Sequence, residues 1–118
     1  MLHRPVETAK LNKPTQSDLD VLGEFLEEGI KKILNKPVTG INDLQDLIKI
    51  ESDWNARLFA HLDENFPIAD AKHIKNLGTV DSKDFVHARG FPEHAAVLSR
   101  FSRREEKIGD IIKRGTHH

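Results

Sequence analysis

The chain contains no cysteine, so disulfide cross-links and thiolate metal sites are excluded and the redox compartment is left open. No stretch approaches the ~18–20 consecutive apolar residues of a membrane-spanning helix. The opening residues, Met1-Leu2-His3-Arg4-Pro5-Val6-Glu7, lack the apolar core of a secretory signal. The expectation is a protein of the cytoplasm, or one incorporated into a particle assembled there, with no membrane partner. Val, Ile and Thr nowhere form an alternating run, so no strand is expected. The best candidate, 84–88, is too short and isolated to build a sheet. Internal repeats and low-complexity tracts are also missing.

The motifs of chemistry are missing too. There is no Gly-x-Gly-x-x-Gly and no Gly-Lys-Ser loop to cradle phosphates. Ser52, Ser82, Ser99 and Ser102 have no recognisable base beside them. Glu51 and Asp53 stand two residues apart, a spacing that points two helical side chains away from each other. No catalytic residue and no cofactor is assigned on this basis.

What remains is a helical pattern of 118 residues, enough for one modest core. Hydrophobic residues make up 37% and charged residues 31%, too apolar for a disordered chain. Residues 1–16 carry Pro5 and Pro14 and no apolar period, which predicts an extended arm outside a helical domain at 17–118. Ser17-Asp18-Leu19-Asp20 resembles a capping box, and Leu19, Leu22, Leu26, Ile30 and Ile33 then recur at helical spacing until Pro37. Asn42, with Gln45 three residues on, predicts the cap of a second helix whose face runs Leu44, Leu47, Ile48, Glu51, Trp54, Leu58 and Leu62. Pro67 and Gly78 bracket a shorter helix at 68–77, and a further short turn is expected at 83–88. The last helix begins at Pro92, and nothing strongly breaks it before Gly115. The fold class is therefore all-α, an irregular bundle of four to five helices with an N-terminal arm.

Seven histidines raise the question of metal. His61 and Glu64 share a helix face, His87 and His94 flank the loop before the last helix, and His117 and His118 end the chain. A bundle metal site needs ligands converging from facing helices, often Glu-x-x-His twice, and no Glu-x-x-His occurs. The string Gly90-Phe91-Pro92-Glu93-His94-Ala95-Ala96-Val97-Leu98-Ser99-Arg100-Phe101 resembles a segment of the hemerythrins, in which His-x-x-x-His-x-x-Phe carries two iron ligands. His94 and Phe101 match that spacing. Leu98 stands where the second ligand belongs, and the upstream His-x-x-x-Glu ligands are missing. The likeness covers about a tenth of the chain, and neither a family nor a metal site is assigned from it.

Charge is unevenly spread although the net is only −1. Residues 42–66 carry a net −4, and residues 91–118 a net +2. On the last helix Arg100, Arg103, Arg104, Lys107 and Arg114 fall along one connected side, with Leu98, Phe101, Ile108, Ile111 and Ile112 opposite. Such a row reads either as a contact to phosphates or an acidic protein face, or as a solvated face neutralised by Glu106 and Asp110. Trp54, the only tryptophan, reads as core, or as an interface anchor if it stands at a rim.

These features lead to a non-enzymatic helical interaction module: an assembly, adaptor or regulatory subunit of a larger complex, such as a viral or bacterial particle. A protein partner or homo-oligomer is expected, with Arg100, Arg103, Arg104, Lys107, Arg114 and Trp54 as candidate contact residues. One alternative is a nucleic-acid-associated protein using the basic face of the last helix, against which the near-neutral charge and pI of about 6.7 argue. A second is a small metal-binding or enzymatic protein built from scattered His and Glu.

Overall fold

The computed structural model describes residues 14–78 and 91–116, which form four helices. The arm before Pro14, the expected turn at 83–88, His87, His117 and His118 lie outside the described residues.

Helix α1 spans Gln16–Gly29 and runs on as a π-helical segment, Ile30–Leu34. Its capping box forms two residues earlier than the sequence pattern placed it. Thr15 is the N-cap: its Oγ1 accepts from Asp18 N at 3.1 Å, and Asp18 Oδ2 accepts from Thr15 N at 2.8 Å. Thr15-Gln16-Ser17-Asp18 satisfies the same rule as the expected Ser17 box, and it makes Gln16 helical rather than part of an arm. Nor does the helix run uniformly to Pro37. Asn35 N reaches back five residues to Ile30 O at 3.0 Å, which closes the wide turn and ends the helix.

Helix α2 spans Ile41–Asn65. Asn42 does not cap it. Gly40 is the N-cap, and Asp43, one turn inside, reaches back to accept from Thr39 N at 3.0 Å and Thr39 Oγ1 at 2.8 Å. Helix α3 spans Ile68–Asn76, and helix α4 spans Pro92–Thr116, running on through Gly115.

Side-chain contacts fix the directions. His61 near the end of α2 meets Asp18 near the start of α1, and Trp54 meets Phe25, so α1 and α2 are antiparallel. Glu51 meets Arg100, and Asn55 meets Arg104, so α2 and α4 are parallel. Two parallel neighbours cannot be joined by a tight turn, and α3 lies in the long return between them.

The core is a continuous cluster of Leu19, Leu22 and Ile33 from α1, Leu47, Trp54, Leu58 and Leu62 from α2, Phe66, Ala71 and Ile74 around α3, and Val97, Phe101, Ile108 and Ile111 from α4. Burying each large side chain is worth about 1.5–3 kcal/mol. Trp54 sits at its centre, 1% exposed, with its ring 5.2 Å from that of Phe101 and its indole N–H donating to Phe25 O at 2.8 Å. Gly29 lets α1 approach this ring pair, since a Cβ there would overlap the Phe101 ring. Of the expected α4 spine, Phe101, Ile108 and Ile111 are buried, while Leu98 and Ile112 are half-buried.

Candidate interaction site

The inward line of α4 runs Val97, Phe101, Arg104, Ile108 and Ile111 at spacings of three and four residues. That of α2 runs Leu44, Leu47, Glu51, Trp54, Leu58 and Leu62. Each apolar stripe is interrupted once by a charged residue, Glu51 in α2 and Arg104 in α4; Glu51 stands level with Arg100, and Arg104 one turn on, level with Asn55. Glu51 and Arg104 are both buried.

Arg100 bridges to Glu51 with both forks of its guanidinium, at 2.9 Å from Nε and 2.6 Å from Nη2. That carboxylate raises the Arg100 pKa above its ordinary value. Arg104 lies deeper, 4% exposed. Its Nε donates to Ile74 O at 3.1 Å, Nη2 to Lys75 O at 3.2 Å and Nη1 to Asn55 Oδ1 at 3.2 Å. Its guanidinium also stands over the Phe59 ring, 5.0 Å from the centroid. Both carbonyls also accept from the backbone at the end of α3, Ile74 O from Leu77 N and Lys75 O from Gly78 N at 3.2 Å each, so Arg104 adds a second, charged donor to each. Desolvation is the main cause that lowers its pKa, and the charge of Glu51 opposes that shift.

The basic row read from the sequence is therefore split. Arg104 is turned into the bundle, and Arg100 is half-buried against Glu51. Arg114 is exposed and reaches Asp70 Oδ1 at 3.3 Å. Arg103 and Lys107, with His73, Leu77, Glu106 and Asp110, line a cleft of about 320 Å³ between α3 and α4. Trp54 belongs to the core rather than to a rim. The signal for Arg104 was present in the sequence, since it replaces an apolar residue at a position the helical period assigns to the core.

Exposed apolar groups occur at separate places outside the basic row. Ile68, the first residue of α3, is 68% exposed, and Ile41 and Ile48 on α2 are 54% and 42% exposed. Ile68 stands beside a groove of about 240 Å³ at the α2–α3 corner, lined also by Asp63, Phe66, Ala71, Lys72 and Lys75. Phe66 and Ala71 are buried beneath it. Lys75 Nζ donates to both oxygens of Asp63, at 2.7 and 2.8 Å. Lys72 is exposed and has no carboxylate partner among the described residues. No sequence pattern marked Ile68, because a lone isoleucine at a helix start fits a core reading equally well.

The candidate metal residues are dispersed. Among the described residues no three His, Asp or Glu side chains are placed to hold an ion. Both ring nitrogens of His61 are used: Nε2 donates to Asp18 O at 3.1 Å, and Nδ1 accepts from Asn65 Nδ2 at 3.0 Å. The buried Nε2 of His94 has no hydrogen-bond partner among the described residues. No described helix is long and apolar enough to cross a membrane.

The fold defines a small all-α bundle. No protein-family model matches the chain, and neither the curated proteins nor the solved structures yield a match.

Proposed function

We propose that this chain is a non-enzymatic helical interaction module, an assembly, adaptor or regulatory subunit that works by contact with a protein. The observation that carries the reading is the exposed Ile68 beside an open groove floored by Phe66 and Ala71. An aliphatic side chain left that far in solvent next to an apolar recess favours a surface completed by another molecule. The charged groups that would suit chemistry, Glu51, Arg100 and Arg104, are engaged with one another and with α3. The contact surface is accordingly moved from the basic row to the α2–α3 corner, with Arg103 and Lys107 at its far side across α3. The nucleic-acid reading loses support, since Arg100 and Arg104 already have partners within the chain. Assembly in the cytoplasm remains part of the proposal.

Light scattering of the purified chain across a concentration series, together with affinity capture from its native host, tests this. A concentration-dependent assembly or a stoichiometric protein partner supports the reading. A strict monomer with no recovered partner overturns it.

A further inference from the structure

We infer that the groove at the α2–α3 corner receives an acidic segment of a partner protein, which inserts one aliphatic or aromatic side chain beside Ile68 and lays a carboxylate on Lys72. This rests on the reading of the chain as an interaction module and names the chemistry of its partner.

Three observations select that occupant. The first is size. The recess of about 240 Å³ falls short of the ~300–1,000 Å³ typical of sites for metabolites and drug-sized ligands. It suits one inserted side chain, the usual anchor of a protein interface. The second is the lining. Phe66 and Ala71 form an apolar floor and Ile68 an apolar wall, so the inserted group is itself apolar. The third is charge. Asp63 and Lys75 close on each other, which leaves no net charge between them. Lys72 stands one turn beyond Ile68 on the same side of α3, exposed and without a carboxylate among the described residues. The charge the rim still offers is positive, and a carboxylate next to the anchor complements it. A phosphate backbone would use Lys72 but not the apolar floor.

The test uses the full chain and a capped peptide probe in which a single leucine is flanked on each side by two aspartates. Backbone amide shifts are followed by NMR. The expected result is saturable shifts centred on Phe66, Ile68, Ala71 and Lys72. Lys72→Glu should weaken binding by about fivefold, the effect of one exposed charge pair. Raising NaCl from about 0.05 M to about 0.5 M should weaken it similarly. A probe with lysines in place of the aspartates should then prefer the Lys72→Glu protein. Both Ile68 and Lys72 are exposed, so their variants keep the fold, and Trp54 fluorescence verifies that they do. The inference is overturned if millimolar acidic probe leaves these four amides unshifted, or if the lysine probe binds the unmodified chain equally well. It is also overturned if Ile68→Asp dissolves a homo-oligomer, because the occupant is then a second copy. A native partner that is captured equally by the Ile68→Asp variant sinks the groove while leaving the interaction-module reading intact.

Discussion

The carboxylate of Glu51 and the guanidinium of Arg100 face each other as parallel forks across the α2–α4 seam, with Nη2 2.6 Å from Oε1. Glu51 is buried and Arg100 keeps about a quarter of its side chain in water. Leaving one member of such a pair without the other costs more than the pair contributes, because the survivor stays desolvated. Glu51→Ala should therefore destabilise the fold by about 3 kcal/mol. The double variant Glu51→Leu with Arg100→Leu should recover at least half of that loss. Urea unfolding of Glu51→Leu, Arg100→Leu and the double variant gives the coupling. A double variant as unstable as the sum of the singles would show that the pair is not an energetic unit.

A second prediction concerns Gly29. Its Cα lies so close to the ring of Phe101 that an added Cβ overlaps it, and Trp54 Cε2 stands 3.2 Å from the same position. In an exposed helix glycine to alanine would stabilise by reducing the freedom of the unfolded chain. Here overpacking should dominate, and Gly29→Ala should cost about 1–3 kcal/mol. Shrinking the obstacle with Phe101→Leu in the same chain should make the alanine less harmful than it is alone. Thermal unfolding of the three variants decides it, and a stabilising Gly29→Ala would contradict the packing described.

How far the sequence foretold these features depends on what each one requires. Helical period together with Pro and Gly punctuation located the four helices, and spacing located most of their buried faces, since burial of Leu22, Leu58 or Ile108 follows directly from it. The ends were less legible. Ser17 and Thr15 offer nearly the same capping chemistry, each with an aspartate three residues on, and local pattern does not choose between them. Asp43 displaces Asn42 because its carboxylate can reach back to Thr39, a choice no pattern distinguishes. The π-helical segment after Gly29 has no local signature either. Arg104 was misread for a more instructive reason. Its neighbours Arg100, Arg103 and Lys107 suggested a solvated row, although its own spacing from Phe101 and Ile108 put it in the core. Its partners, the carbonyls of Ile74 and Lys75, belong to another helix and are invisible to any local reading.

Acid should weaken the fold through two carboxylates. Hydrogen bonds from Arg57 are the main cause holding Glu28 below the usual carboxylate range, and the Thr39 backbone N–H does the same for Asp43. A depressed folded pKa means that the folded state binds its proton later than the unfolded chain does. The stabilisation is therefore complete above the unfolded value, about 4 for these groups, and is lost as pH falls through the lower folded value. Urea midpoints should be flat near neutrality and fall below about pH 4. Glu28→Gln should reduce the midpoint near neutrality and make its acid limb shallower. The exposure of Arg57 limits the Glu28–Arg57 share to less than about 1 kcal/mol. An acid limb unchanged in Glu28→Gln would show that other groups govern it.

Arg104 and Lys107 are three residues apart on α4, and the structure assigns them opposite fates. Arg104 gives its guanidinium protons to Ile74 O, Lys75 O and Asn55 Oδ1 inside the bundle. Lys107 lines the open cleft beside His73 and Glu106. Replacing Arg104 by methionine keeps much of the volume but removes its hydrogen bonds to Ile74 O, Lys75 O and Asn55 Oδ1, leaving the two carbonyls with their backbone donors only, and losing such charged hydrogen bonds should cost about 1.5–3 kcal/mol. Lys107→Met removes a partly solvated charge, and its effect should stay within about 0.5 kcal/mol. Hydrogen exchange adds the spatial test. In Arg104→Met, amides of α3 should lose protection before those of α1 and α2, because α3 is the element that Arg104 fastens to the seam. Equal stability of the two variants, or uniform loss of protection along the chain, would mean that α3 is held by Ala71, Ile74 and the Asp63–Lys75 and Asp70–Arg114 pairs, and that the buried arginine is dispensable.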